Sequence, residues 1–79
     1  MELKYGNTYL WKDVVRAYPD MWLFMSDVEK TDGAIDRFRF LALCPHSEKA
    51  SYMRKFRDQG IPYECERTTF SVPNMGVLC

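Results

Sequence analysis

Asp32-Gly33 separates two runs of strand-forming residues, and this arrangement limits the fold more than any other feature of the chain. Glycine after aspartate tolerates the positive φ that a tight hairpin turn needs. The flanking runs are Met21 to Val28 (MWLFMSDV) and Ile35 to Cys44 (IDRFRFLALC), with the turn in Glu29 to Ala34 (EKTDGA). In the second arm Phe38, Phe40, Ala42 and Cys44 alternate with Arg37, Arg39, Leu41 and Leu43, and the first set is expected to face the core. The first arm opens with Met21, Trp22, Leu23, Phe24 and Met25, which show no polar alternation. Both of its faces are therefore apolar.

Helical spacing flanks the hairpin on both sides. Leu10, Trp11, Val14, Val15 and Tyr18 form one apolar stripe, with Lys12, Asp13 and Arg16 opposite, Asn7 or Thr8 as cap, and Pro19 ending the helix near Ala17 or Tyr18. A second helix is expected from a Ser47 cap to about Asp58, with Ala50, Met53 and Phe56 inward and Tyr52 at the margin. Gly60-Ile61-Pro62 stops it: glycine takes the left-handed position, the apolar residue folds back and proline forbids continuation. Tyr63 to Phe70 alternates Tyr63, Cys65 and Arg67 against Glu64, Glu66 and Thr68, as a strand would. Met1 to Tyr5 leaves room for a short first strand.

The order predicts an α+β fold, a two-layer (β)αββαβ sandwich with an antiparallel hairpin and two helices on one face, ferredoxin-like if the first strand forms. Right-handed crossovers in that arrangement return over the same side of the sheet. The opposite face would then be open. Leu23, Met25, Leu41, Leu43, Arg37 and Arg39 are the residues expected on it, and an apolar open face is a contact surface.

A chain of 79 residues holds one domain, here expected to cover 1–70 with a tail at 71–79. An apolar fraction of 47% argues for a packed core, and eleven basic side chains against eleven acidic ones give no global attraction to nucleic acid or to an anionic membrane. Cys44, Cys65 and Cys79 make an odd count, and no basic and apolar leader precedes Leu3, so a reduced cytoplasmic setting is expected. The longest apolar run, Met21 to Met25, is too short to span a bilayer.

Cys44-Pro45-His46-Ser47 brings a thiol and the chain's single histidine to a helix start, where dipole and imidazole would activate the sulfur. Position 50 is alanine, which rules out the Cys-x5-Arg phosphate loop, and no second cysteine completes Cys-x-x-Cys. The competing reading makes Cys44 the last core residue of a strand, Pro45 its end and Ser47 the opening of a helix. A metal would require Cys44, His46, Cys65 and Cys79 to converge without the paired knuckles of zinc sites, so no metal and no cofactor is expected. Asp27, Glu29, Asp32 and Asp36 crowd the hairpin loop but lack the spacing of an EF-hand.

Arg37-Phe38-Arg39-Phe40 interleaves arginines with aromatics, and in this the segment resembles an RNA-recognition domain, whose central strands stack bases on exposed aromatic rings. That family's motif has glycine after the first basic residue, where Phe38 stands. The resemblance implies a single-stranded nucleic-acid-binding module as one alternative. A thiol-dependent site at Cys44 and His46 is the other. The leading expectation is a small non-enzymatic module that binds a larger protein, or a second copy of itself as a homodimer, through the open face or a free sheet edge. Compact chains without a chemical motif often serve as regulators or inhibitors, anti-CRISPR proteins of phages and mobile elements among them, an analogy of size alone.

Overall fold

A computed structural model describes residues 2–68, and the expected tail at 71–79, with Cys79, lies outside them. The fold is α+β. Strands β1 (Thr8–Leu10), β2 (Trp22–Thr31), β3 (Ala34–Cys44) and β4 (Glu64–Arg67) form one antiparallel sheet. Helix α1 (Trp11–Ala17) joins β1 to β2, and a 3-10 turn (His46–Glu48) leads into α2 (Lys49–Asp58) between β3 and β4.

The turn chemistry follows the sequence closely. Thr31 pairs with Ala34, and Asp32 and Gly33 both take positive φ, 55° and 81°, as a two-residue hairpin turn of matching twist requires. At the end of α2, Gly60 has φ +68°, its N–H donates to the Arg57 carbonyl, and the Ile61 N–H reaches back to the Phe56 carbonyl at 2.9 Å. These two bonds satisfy carbonyls that the helix end would otherwise leave free, and Ile61 packs against the cluster that holds Phe56.

The strand order is β1-β3-β2-β4, which places β4 beside β2; in a ferredoxin-like sheet it would lie beside β1. This corrects the expectation of two helices on one face. β1 and β2 run parallel with β3 between them, and β3 and β4 run parallel with β2 between them. Both crossovers thus step in the same direction along the sheet from oppositely directed strands, and right-handed connections then put their helices on opposite sides. The packing agrees. Val14 of α1 meets Leu23, Met25, Phe38 and Phe40, whereas Phe56 of α2 meets Phe24, Leu41 and Cys44. Consecutive residues of β2 alternate between the two cores, which explains why Met21 to Met25 shows no polar break.

A β-bulge corrects the expected faces of β3. Trp22, Leu23 and Phe24 oppose Cys44, Leu43 and Ala42, but Met25 opposes Phe40, so Leu41 is an extra residue. One added residue inverts the side-chain pattern on either side of it. Phe38, Phe40 and Leu43 therefore face α1, while Leu41, Ala42 and Cys44 face α2.

Two helix starts also differ from expectation. The first strand is Thr8–Leu10, later than expected, so Asn7 precedes a strand and Thr8 opens it, and α1 follows Leu10 with no side-chain cap. Ser47 lies inside the 3-10 turn, and Glu48 precedes α2, also without a capping side chain. The far end of the sheet is closed by Thr68, which is fully buried. Its hydroxyl accepts from the Met21 N–H at 2.8 Å and donates to the Tyr18 carbonyl at 2.6 Å. Beside it Arg67 holds Asp20, a left-handed residue at φ 63°, at 2.6 Å.

Candidate groove on the α2 face

α2 is only ten residues long and packs through Phe56 against Phe24, Leu41 and Cys44. Beyond it lies a groove of about 460 Å³. Ser26, Arg39 and Leu41 line it, together with the β2 strand at Met25, whose side chain is buried in the α1 core. One wall is Tyr5-Gly6, held in place because Gly6 N–H donates to the Phe40 carbonyl and Phe40 N–H to the Asn7 carbonyl, both at 2.8 Å. The other wall is Ile61, Pro62 and Tyr63, the segment that follows the Gly60 stop. Tyr5 is 65% exposed, the most exposed large apolar side chain among the described residues. Its ring is available to a partner.

Charges at this groove are already matched. Arg39 lies 3.4 Å from Asp27, a residue of the β2 irregularity with φ 49°, and Lys30 lies 3.7 Å from Glu64. These side chains are about half exposed or more, so each pair contributes little to stability while leaving the groove without net charge.

The expected contact face is dispersed by the fold. Leu23 and Met25 are 0% exposed and Leu41 is 7% exposed, because α1 covers the first two and the α2 layer receives the third. Leu43 is half-buried on the α1 side. Arg37 is exposed and pairs with Glu29 at 3.3 Å. Of the six, Met25, Arg39 and Leu41 line the groove. Phe38 and Phe40 are buried, so the arginine-aromatic alternation offers no ring for base stacking.

In the CPHS segment Cys44 ends β3, Pro45 follows it and His46–Glu48 form the 3-10 turn. Cys44 is 1% exposed and its thiol is held above the ordinary range, first by burial and second by the charge of Glu48. An activated thiol needs the opposite shift. His46 does not approach it as a base: the indole N–H of Trp22 donates to His46 Nδ1 at 2.9 Å, and Lys49 Nζ sits 3.6 Å from the Trp22 ring centre. In the sequence Trp22 is one residue of the apolar run Met21 to Met25, which gives no sign of this contact. Cys65 lies on β4 opposite Phe24, with β2 between it and Cys44, and its thiol is also raised by burial. Both cysteines are free, and among the described residues no group of three or more His, Cys, Asp or Glu is placed to hold a metal. No helix among them is long and apolar enough to cross a membrane.

Tyr5, Gly6, Ser26, Ile61, Pro62, Tyr63 and Glu64 line the groove without having been expected at a contact site. Pro62 and Tyr63 carried a signal, since an apolar pair after a helix stop must pack or face a partner, but Pro62 read as part of the stop and Tyr63 as the start of a strand. The chain matches no protein-family model, no curated protein and no solved structure.

Proposed function

We propose that the chain is a small non-enzymatic interaction module that engages a larger protein, as its regulator or inhibitor, through the groove on the α2 face. The observation that carries this reading is the groove itself. It is an aromatic-walled concavity of about 460 Å³, lined by β2 and β3 residues beside the cluster that α2 packs on. Its size suits one or two side chains of an extended segment, and its walls stand on ordered backbone, so little conformational entropy would be lost on binding. Titratable groups in it are neutralised in pairs, which favours recognition over proton transfer.

The test is capture from the native cell extract with three immobilised forms: the intact chain, Tyr5→Asp, and Lys12→Glu on α1 as a remote control. A partner retained by the intact chain and by Lys12→Glu but lost with Tyr5→Asp supports the groove. Identical capture by all three forms, or none above a blank resin, refutes it.

A further inference from the structure

The segment Gly60–Tyr63 stands between two hollows. On its far side from the groove is a smaller one of about 350 Å³, lined by Arg57, Gly60, Ile61, Pro62 and Tyr63. Ile61, Pro62 and Tyr63 line both hollows, so a ridge three residues wide separates them. At about 3.3 Å per extended residue, a bound chain crosses such a ridge in two to four residues.

The two hollows differ in charge. Every ion pair among the described residues is made by residues of the sheet and its turns: Lys30–Glu64, Arg37–Glu29, Arg39–Asp27 and Arg67–Asp20. α2 takes part in none of them, although it carries Lys49, Arg54, Lys55 and Arg57 against Asp58 alone. Lys49 rests on Trp22, and Lys55 lies 5.9 Å from the Tyr52 ring centre. Among the described residues Arg57 has neither carboxylate nor ring as partner, and it lines the smaller hollow. A guanidinium is planar and presents paired donors that match the two oxygens of a carboxylate.

Resting on the groove reading, we infer that its occupant is an extended acidic and apolar peptide segment of the partner. An apolar side chain fills the larger hollow, the backbone crosses Ile61–Tyr63, and an Asp or Glu two to four positions away meets Arg57. Charge complementarity selects this occupant. The larger hollow is balanced and takes an apolar group, whereas the smaller holds one unmatched cation. Nucleic acid is a poorer fit because Phe38 and Phe40 are buried and Arg37 and Arg39 are paired.

The experiment is selection from a phage-displayed library of random peptides on the intact chain, Tyr5→Asp and Arg57→Glu, each first shown to keep the unfolding midpoint of the intact chain. Arg57 and Tyr5 are exposed, so both variants are expected to fold. The intact chain should enrich an apolar residue with Asp or Glu two to four positions away. Arg57→Glu should keep the apolar residue, replace the acid by Lys or Arg, and bind the original peptides at least tenfold more weakly. Enrichment of the apolar residue without an acid, or an acid preference that Arg57→Glu leaves unchanged, overturns this inference and leaves the groove reading standing. No enrichment by the intact chain, or equal enrichment by Tyr5→Asp, overturns both. Salt-sensitive binding of single-stranded DNA that is lost in Arg57→Glu would assign the cation to phosphate and also overturn the inference.

Discussion

Thr68 bonds to the turn that separates α1 from β2, fifty residues earlier in the chain at Tyr18. Replacing it with Val keeps the shape and removes the hydroxyl, which leaves the Met21 N–H and the Tyr18 carbonyl without this partner. Unsatisfied groups of this kind cost about 1–3 kcal/mol, so Thr68→Val should lower the urea midpoint by a corresponding amount. Thr68→Ser keeps the hydroxyl and should avoid most of that loss; equal midpoints for Thr68→Val and the parent would remove Thr68 from this role. A second residue-scale expectation concerns the thiols. Burial raises Cys44 and Cys65 in the folded chain, so at alkaline pH the unfolded chain loses thiol protons that the folded chain keeps. The native state then binds more protons than the unfolded state, and stability falls with pH. The contribution is complete below the unfolded thiol value of roughly 8.5 and is lost as pH rises toward the folded values. Denaturation curves between pH 7 and 10 should show this slope. Cys44→Ala, whatever its cavity costs, should flatten it.

At the scale of elements, the hairpin and the end of α2 were legible because their signals are local: Asp32-Gly33 supplies positive φ, and Gly60-Ile61 closes the helix within a single turn. The bulge at Leu41 was not legible, because Leu41 and Ala42 are both apolar and a one-residue slip leaves no polar residue misplaced to reveal it. Nor was the edge that receives β4. The connection from Cys44 to Glu64 is long enough to reach either side, and that choice decides which face each helix covers and so whether an open face exists. β4 ends the sheet beyond β2, with no further strand among the described residues. Its Glu64 and Glu66 oppose Met25 and Leu23, hence share one face. A second copy paired antiparallel through this edge and centred on Cys65 would set Glu64 against Glu66 twice, and centring on Glu66 would oppose it to itself. Like charges directly opposite are destabilising, which protects a short edge from self-pairing. Glu66→Lys turns both contacts of the Cys65-centred register into attraction. Sedimentation at low ionic strength should show stronger self-association for this variant than for the parent, weakening as salt is added. Equal association would mean that the edge is blocked by something other than charge.

At the scale of the whole molecule, the two cores share the backbone of β2 and β3 but divide their side chains between opposite faces. Each helix is too short to persist alone in water, so each depends on the sheet, and the sheet's two central strands depend on both helices for burial. Loss of either layer would expose one row of large apolar side chains, Leu23, Met25, Phe38 and Phe40 on one side or Phe24, Leu41 and Phe56 on the other. At roughly 1.5–3 kcal/mol for each such side chain, that exposure is of the same order as the roughly 5–15 kcal/mol stability of an ordinary domain, so the layers should unfold together. The chain's two tryptophans permit a direct test, since Trp11 packs in the α1 layer and Trp22 in the α2 layer. Trp22→Phe leaves a fluorophore that reports the first, and Trp11→Phe one that reports the second. Within each variant the urea midpoint read by fluorescence should coincide with that read by circular dichroism. Adding Val14→Ala, which removes buried carbon only from the α1 layer, should move the Trp22 signal by as much as the Trp11 signal. If Trp22 keeps its midpoint while Trp11 shifts, the α1 layer opens as a separate unit, and the sheet with α2 alone must then be stable enough to carry the groove.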